Sequence, residues 1–564
     1  MKINDIIKSE SLNRPLSLII VLLTCLFVIA LHSVNLNADP PDSFILDDIG
    51  LRVDEGYKTL AARNLVLFGS EKWSNADEYE GWFRGSPLTQ TLLYGSFSIF
   101  GANIIVARAT ALFYFFLLIL IVLWAYRGTC GREKFYLLAA LVATEPFLFF
   151  FSRAALFEVA LAAAVTACLA YVKRTGDDKP ILAAIVSIIL CFASAVLIKK
   201  SALLYFSPII VAMILFISIK YSSKRLILFI TSLAILAGIS IIMSGMLSQR
   251  LYFPSVENFL VQVTTNPLAI NSPWLTCAAW FCVYSIFRTK DFKKYNDALL
   301  VSACFVIVLV PIMLGFMSYA PPRYYVAMIP GFIFLVAYWF NKDYLKDKYS
   351  EKVSKFRISK ISVCSLAYAL YILLFAIAND VLPLTPIPQG DTPGISEISA
   401  VRYLLPLSLL LAITYSVISV KYRFLHNKAL KTVIYSMLLI SVSSGTFKAS
   451  EVWINPSYST SAVRIKLSEI VKDGETIIGD FAPFFALGTG IPAVYATTGL
   501  NNGSIILRIC PKYYLFSGTK GDQNTFDSFK PYVRHGAVNE IPLGEYAGKE
   551  ITLIPLNING FNCR

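Results

Sequence analysis

The chain has 564 residues, of which 56% are hydrophobic and only 15% are charged, and its mean hydropathy is +0.63. A water-soluble protein of this length could not bury so much apolar surface, so the composition excludes an ordinary soluble fold. The formal net charge of +14 does not indicate nucleic-acid binding. The basic residues gather in short loops between apolar runs, a pattern that reports the orientation of a membrane protein.

Apolar runs of bilayer-spanning length recur along the chain and predict an α-helical polytopic membrane protein. The first run, 15–36, follows Lys2, Lys8 and Arg14, so we predict a retained anchor with a cytoplasmic N-terminus. All six later loops that this topology places inside are basic, as the positive-inside rule requires. With the first run, the prediction is about thirteen transmembrane helices. The later runs cover approximately 104–126, 135–151, 154–172, 180–198, 201–220, 225–246, 273–288, 297–317, 324–340, 361–379, 400–420 and 432–448.

The first outer loop, 37–103, carries a pair of carboxylates next to a helical pattern. Asp54 and Glu55 come directly before apolar residues at helix spacing, and Gly69 lies where a C-cap glycine would fall. The pair is therefore predicted at the N-terminus of an amphipathic helix, and the simplest interpretation is that Asp54 is the N-cap of this helix. The run Leu88–Phe100 is short for a span, so we predict a second surface helix there.

The tail from about residue 449 is more polar than the rest of the chain. Turn clusters and β-rich runs such as Thr476–Ile478 and Ile551–Ile554 predict a small extracytoplasmic α/β domain over 449–564, after a transmembrane domain over 1–448. Cys510 and Cys563 are the only cysteines of this tail. In an oxidising compartment they are predicted to form a disulfide.

Several charged residues break the charge pattern of this topology by falling at the outer face. Any one of them could snorkel to the interface or form an ion pair inside the bundle. Together they suggest a pocket in which cations bind a phosphate and carboxylates abstract a proton or bind a metal. These residues are Asp54, Glu55, Arg84, Arg108, Arg153, Glu158, Lys199, Lys200 and Arg323.

At these positions the chain resembles the GT-C membrane glycosyltransferases, in particular the superfamily of protein O-mannosyltransferases and ArnT-like aminoarabinose transferases. Asp54-Glu55-Gly56-Tyr57 resembles the family's Asp-Glu-x-x-Tyr motif, whose Asp is catalytic. Pro87–Gly101 resembles its second surface helix, and Leu197–Leu203 resembles its lysine-containing turn. The stretch from Ser152-Arg153 to Glu158 resembles the segment with a second acid, and Pro322-Arg323-Tyr324-Tyr325 resembles its Arg-Tyr motif.

The chain also departs from that pattern. Its second acid is Glu158, where the family more often has Asp. Arg84 and Gly85 stand where aminoarabinose transferases have a Glu and a Lys. These departures argue against aminoarabinose transfer to lipid A and against a zinc ion held by that Glu.

The resemblance implies a multi-pass enzyme of the cell membrane that transfers a sugar from a polyprenyl-phosphate donor to a lipid, glycan or protein acceptor, with inversion. It implies Asp54 as the base, with Glu55 and Glu158 as further catalytic residues. Lys199 and Arg323 would bind the lipid phosphate, helped by Arg84, Arg153 and Tyr324. No cofactor is required, although a divalent metal at Asp54 and Glu158 stays open.

Two other functions stay open at this stage. One is a transporter or flippase, although such proteins usually carry their charges near the bilayer midplane and show repeated halves. The other is a polysaccharide polymerase or ligase, for which a carboxylate pair directly after the first span would be unusual.

Overall fold

The structure is a computed structural model. It describes residues 19–40, 50–79, 81, 83–127, 132–221, 259, 263, 266–287, 297–317, 321–341, 360–381, 404–416, 423–472, 474–501, 503–532, 540–546 and 548–556. The predicted span 225–246 and the predicted disulfide partner Cys563 lie outside these residues.

The described part of the chain is mostly helical, and a small sheet forms near its C-terminal end. The helices of the first half are α1 (Ile19–Ser33), α2 (Gly50–Phe68), α3 (Pro87–Phe100), α4 (Ile104–Tyr126), α5 (Arg132–Thr144), α6 (Pro146–Ser152), α7 (Glu158–Thr175), α8 (Pro180–Leu197) and α9 (Ala202–Tyr221). Those that follow are α10 (Pro267–Asn271), α11 (Pro273–Phe287), α12 (Ala298–Gly315), a 3₁₀ helix (Pro322–Met328), α13 (Ile329–Asn341), α14 (Lys360–Val381), α15 (Leu404–Ser416) and α16 (Arg423–Ile454).

The chain is a multi-pass membrane protein. Among the described residues, five helical segments are long and apolar enough to cross a bilayer, or six if a bent pair counts as one span. The five are Ile104–Tyr126, Pro180–Leu197, Ala298–Gly315, Pro322–Phe340 and Ala429–Ile454, and shorter apolar helices lie between them. The total of about thirteen spans stays a prediction.

The predicted span over 135–151 is a pair of helices with a bend between them. Helices α5 and α6 meet at 55°. Pro146 opens α6 and has no amide hydrogen, so it cannot continue the hydrogen-bond ladder of α5. The Glu145 carboxylate instead accepts a hydrogen bond of 2.6 Å from the Leu148 amide and caps α6. A proline and a capping acid therefore divide this apolar run.

The two predicted surface helices are both present. Helix α2 ends at Phe68, and the Gly69 amide donates to the Leu65 carbonyl at a φ of +74°, which confirms the C-cap glycine. Helix α3 leaves large apolar side chains exposed, including Ile99 (74%) and Phe100 (70%). Such a face suits a helix that lies in the membrane interface.

The start of α2 corrects the interpretation of Asp54 as an N-cap. Helix α2 begins at Gly50, so Asp54 is its fifth residue. At that position the amides of the next turn already bond to helix carbonyls, and no cap is needed. The carboxylate of Asp54 is free to interact with other elements.

The C-terminal region forms a five-stranded mixed sheet with short helices, as predicted. Its strands are β1 (Ile477–Gly479), β2 (Ala493–Tyr495), β3 (Tyr513–Phe516), β4 (Ile541–Tyr546) and β5 (Lys549–Pro555), in the order β2-β1-β3-β5-β4. Strand β1 is parallel to β2 and β3, and β5 is antiparallel to β3 and β4. The helices are α17 (Ser459–Ile470), α18 (Ala482–Ala486), α19 (Ile506–Ile509) and α20 (Lys520–Asp527).

The sheet domain docks directly on α2. A Cβ added at Gly56 would lie 2.4 Å from the Phe484 amide nitrogen of α18, so only glycine permits this approach. The buried guanidinium of Arg63 donates to the carbonyls of Thr489 (3.0 Å) and Ile491 (2.6 Å). The helix that carries Asp54 is thus held between the membrane helices and the C-terminal domain.

Candidate active site

Asp54 forms an ion pair with an arginine from a distant part of the chain. Arg323 lies on the 3₁₀ helix that leads into α13, and its Nη1 is 2.7 Å from Asp54 Oδ2. The Asp54 side chain keeps 20% of its surface exposed, and that of Arg323 keeps 8%. Asp54 is therefore both oriented by a cation and reachable from solvent.

Glu158, the first residue of α7, lies among three cations. Its Oε1 is 2.7 Å from Lys199 Nζ, 3.4 Å from Lys58 Nζ and 3.7 Å from Arg323 Nε. The Glu158 side chain is only 2% exposed. A buried carboxylate requires such partners, because an unpaired charge out of water is costly.

An ionic cluster is thus formed by five residues: Asp54, Lys58, Glu158, Lys199 and Arg323. Three cations and two carboxylates give it a formal charge of +1. Burial lowers the pKa of Lys58 to about 8 although Glu158 raises it, so Lys58 stays mostly charged at neutral pH. The excess positive charge suits an anionic group such as a phosphate diester.

Tyr324 packs beside the cations of the cluster, as its predicted place in the site requires. Lys199 Nζ lies 5.0 Å and Arg323 Cζ lies 5.6 Å from the centroid of its ring. Both distances are within the range of cation–π attraction. The Tyr205 hydroxyl donates to the Tyr324 carbonyl at 2.5 Å and holds the start of the 3₁₀ helix against α9.

Glu55 does not face the same partners as Asp54. It pairs with Arg108 of α4 through two hydrogen bonds, of 3.0 and 2.9 Å, and accepts a third, of 2.7 Å, from the Ala155 amide. Burial raises the pKa of Glu55, but the charge and hydrogen bonds of Arg108 outweigh it and hold the pKa below its usual range. These hydrogen bonds occupy the Glu55 carboxylate and hold α2 against α4. The geometry therefore favours a positioning role for Glu55 over the predicted catalytic one.

The two weaker phosphate-binding candidates are not brought to the cluster. Arg153 donates to the carbonyls of His32, Val34 and Asn35 at 2.5–2.7 Å, which binds α6 to the end of α1. Arg84 lies exposed in the turn before α3, and no contact with the cluster is found for it within the described ranges. The predicted phosphate role of these two arginines is not supported by their positions.

Sequence reasoning missed Lys58, although one signal was available. It follows Asp54 by four residues, so the two share a helix face. It also stands where the Asp-Glu-x-x-Tyr pattern has its tyrosine, since Tyr57 comes one residue early. The Lys58 side chain is 2% exposed, and its Nζ lies 5.3 Å from the centroid of the Phe157 ring.

The arrangement of the carboxylates fits a divalent metal poorly. A metal needs carboxylate oxygens that face a common point, whereas Arg323 lies within ion-pair distance of both Asp54 and Glu158. Within the described part of the chain, no group of three or more His, Cys, Asp or Glu residues could hold a metal ion.

Comparison with known proteins gives a structural likeness only. No protein-family model and no curated protein matches the chain. The crystal structure of ArnT from Cupriavidus metallidurans bound to undecaprenyl phosphate is 13% identical, with a TM-score of 0.47, and the match covers 95% of this chain and 97% of that one. The apo state of the same protein is 12% identical, with a TM-score of 0.48 and coverage of 94% and 97%. The predicted resemblance to ArnT-like proteins is thus confirmed as a structural likeness.

Proposed function

We propose that the protein is a membrane glycosyltransferase whose donor is a sugar linked to a polyprenyl phosphate. The observation that carries this proposal is the ionic cluster. It places one partly exposed carboxylate, Asp54, within 2.7 Å of an arginine, in a group that also contains two lysines. A base next to a cationic anion site is what transfer from a lipid-phosphate donor needs.

The reaction balances with these groups alone. The acceptor hydroxyl or amine loses its proton to Asp54, and the acceptor atom bonds to the anomeric carbon from the face opposite the phosphate. The bond between that carbon and the phosphate oxygen breaks, and the oxygen keeps the electron pair. The products are the inverted glycoside and a prenyl phosphate whose charge has risen from −1 to −2, so cations stabilise the transition state more than the ground state.

Lys199 and Arg323 are the proposed phosphate ligands, and Glu158 is their anchor. Lys199 keeps 13% of its side chain exposed, so it can meet a ligand while Glu158 fixes its other side. Arg323 can bind two phosphate oxygens through its planar guanidinium. No resident cofactor takes part in this scheme, since each carboxylate of the cluster already faces a cation.

The proposed orientation puts the ionic cluster and the C-terminal domain outside the cytoplasm, and the N-terminus inside. Cys510 is disulfide-bonded, which favours an oxidising compartment for this domain. The proposed membrane domain covers residues 1–448 and includes the first outer loop, 37–103. The proposed outer domain covers residues 449–564. The location is the cell membrane.

Release of lipid phosphate tests the proposal directly. Membranes that contain the protein are incubated with a panel of sugars linked to undecaprenyl phosphate, and free undecaprenyl phosphate is measured by mass spectrometry. Release with at least one donor, above membranes that lack the protein, is expected. No release across the panel, together with transport of the intact lipid between leaflets, would favour the flippase function instead.

A further inference from the structure

The parallel strands of the C-terminal domain end at a reversal of strand order. The chain leaves β1 toward β2 on one side and later returns to β3 on the other, so strand order reverses at β1. In open sheets with parallel strands, ligands bind at such a reversal, beyond the carboxyl ends. Asp480 directly follows β1, Thr497 follows β2 closely, and Ser517 directly follows β3.

Asp480 is an unusual residue at this reversal. It is only 8% exposed, yet its Oδ1 has no hydrogen-bond partner among the residues that the structure describes. The neighbouring acid, Asp522, is fully engaged, because it accepts hydrogen bonds from the Tyr514 hydroxyl (2.6 Å) and from both the amide and the hydroxyl of Ser517. A buried acceptor without a donor is rare in proteins and calls for a ligand or another specific cause.

Aromatic residues connect the strand-order reversal with the proposed catalytic base. Tyr495, the last residue of β2, lies against Tyr57 with ring centroids 4.5 Å apart. Tyr57 is three residues beyond Asp54 on α2. The Thr497 hydroxyl interacts with both the Asp480 carboxyl and the Tyr495 hydroxyl, and Asp54 is close enough to act on Tyr495 through its charge. The open acceptor of Asp480 is thus followed by the aromatic rings of Tyr495 and Tyr57, which lead to Asp54.

We propose that Asp480, Tyr495 and Tyr57 form an acceptor subsite for a saccharide, which they present to Asp54. This inference rests on the proposed function and names the chemical class of its acceptor. The free Oδ1 of Asp480 would accept a hydrogen bond from one sugar hydroxyl, and the tyrosine rings would pack against the apolar face of the sugar.

The chemistry favours a neutral saccharide over a cationic amine. Burial and the nearby Asp522 raise the pKa of Asp480 to about 7, so at neutral pH the carboxyl is protonated about half the time and can both donate and accept. Sugar hydroxyls also donate and accept. An ammonium group would approach the ionic cluster, whose formal charge is +1, against a repulsive potential.

The test is saccharide binding by the full-length protein in detergent. An array carries neutral saccharides, amino sugars and serine- or threonine-rich peptides, and binding of undecaprenyl phosphate is measured in parallel. The variants are Asp480→Ala, which removes the acceptor, and Tyr495→Phe, which keeps the ring. The matched control is Asp527→Ala, the same change at an exposed residue of α20 whose contacts, Lys530 and Gln523, lie at the surface.

We expect the wild type and the control to bind neutral saccharides, Asp480→Ala to lose at least tenfold in affinity, and Tyr495→Phe, which keeps its ring, to lose less. All variants should bind undecaprenyl phosphate as the wild type does. Preference for peptides or amino sugars, absence of saccharide binding by the wild type, or wild-type saccharide binding by Asp480→Ala would each overturn the subsite. Failure of the wild type to bind undecaprenyl phosphate would instead count against the proposed function, because the subsite lies apart from the phosphate ligands.

Discussion

Replacing Glu158 by Gln removes the central anion of the ionic cluster and keeps its shape. The change leaves three cations, Lys58, Lys199 and Arg323, with Asp54 as their only carboxylate in the cluster, so the formal charge rises from +1 to +2. Removing one partner of a buried ion pair costs about 3–5 kcal/mol of stability, because the remaining charges stay buried. The side chains of Lys58 and Arg323 are 2% and 8% exposed, so solvent screens this cost little.

An added lipid phosphate should partly replace the missing charge. A ligand that binds only the folded state stabilises it by about 2.7 kcal/mol at a hundredfold excess over its Kd. We therefore expect undecaprenyl phosphate to raise the Tm of Glu158→Gln by more than it raises that of the wild type. The assay is thermal unfolding of the purified protein in detergent, with and without the lipid.

Glu55→Gln provides the matched control for this prediction. Glu55 is equally buried and ion-paired, but its partner is Arg108 of α4, outside the ionic cluster. This variant should also lose stability, while its Tm shift with undecaprenyl phosphate stays close to that of the wild type. Equal shifts in both variants, or wild-type stability of Glu158→Gln, would refute the account of Glu158 as the anchor of a phosphate site.

Three further outcomes are expected. Lys199→Ala and Arg323→Ala should each weaken undecaprenyl phosphate binding by about 1.5–3 kcal/mol, which is the contribution of a charge-assisted hydrogen bond. Affinity is measured by titration, and wild-type affinity in both variants would contradict their role. Asp480 has a pKa raised from 3.8 to about 7 in the fold, so the folded state holds its proton more tightly and loses stability as pH rises from about 4 to 7. Asp480→Asn should therefore raise the free energy of unfolding more at pH 8 than at pH 4, by on the order of 4 kcal/mol at most, and an equal change at both pH values would count against this. Mass spectrometry of protein isolated under oxidising conditions should find Cys510 linked to Cys563, and a free Cys510 thiol would oppose the outer location of the domain.

The sequence allowed the main elements and most of the ionic cluster to be predicted. Apolar runs located α4, α8 and α12 to within a few residues, and the short run after Pro87 was recognised as a surface helix. The cluster could be anticipated because charges are scarce on the side of the chain that was predicted to be outer, so Lys199, Arg323 and Glu158 stood out. A topology argument of this kind needs no knowledge of which side chains touch.

The partners of each charge could not be predicted. Glu55 and Asp54 are adjacent in sequence, yet they pair with arginines from different helices, and nothing local separates their roles. Lys58 pairs with Glu158, which is 100 residues away in the sequence. Its sequence position alone predicts an ordinary surface lysine of a helix. Such pairings depend on how the helices pack, which hydrophobic periodicity does not specify.

The most direct test of the central claim is the turnover of Asp54→Asn. Asparagine keeps the size of the side chain but cannot take the acceptor proton, and general-base catalysis contributes about 10²–10⁴ in rate. The measurement is release of undecaprenyl phosphate from a donor that the wild type accepts, in membranes with equal amounts of each protein. The account predicts a loss of at least a hundredfold, with wild-type turnover in the exposed control Asp527→Asn. An Asp54→Asn protein that turns over as fast as the wild type would contradict the assignment of Asp54 as the base.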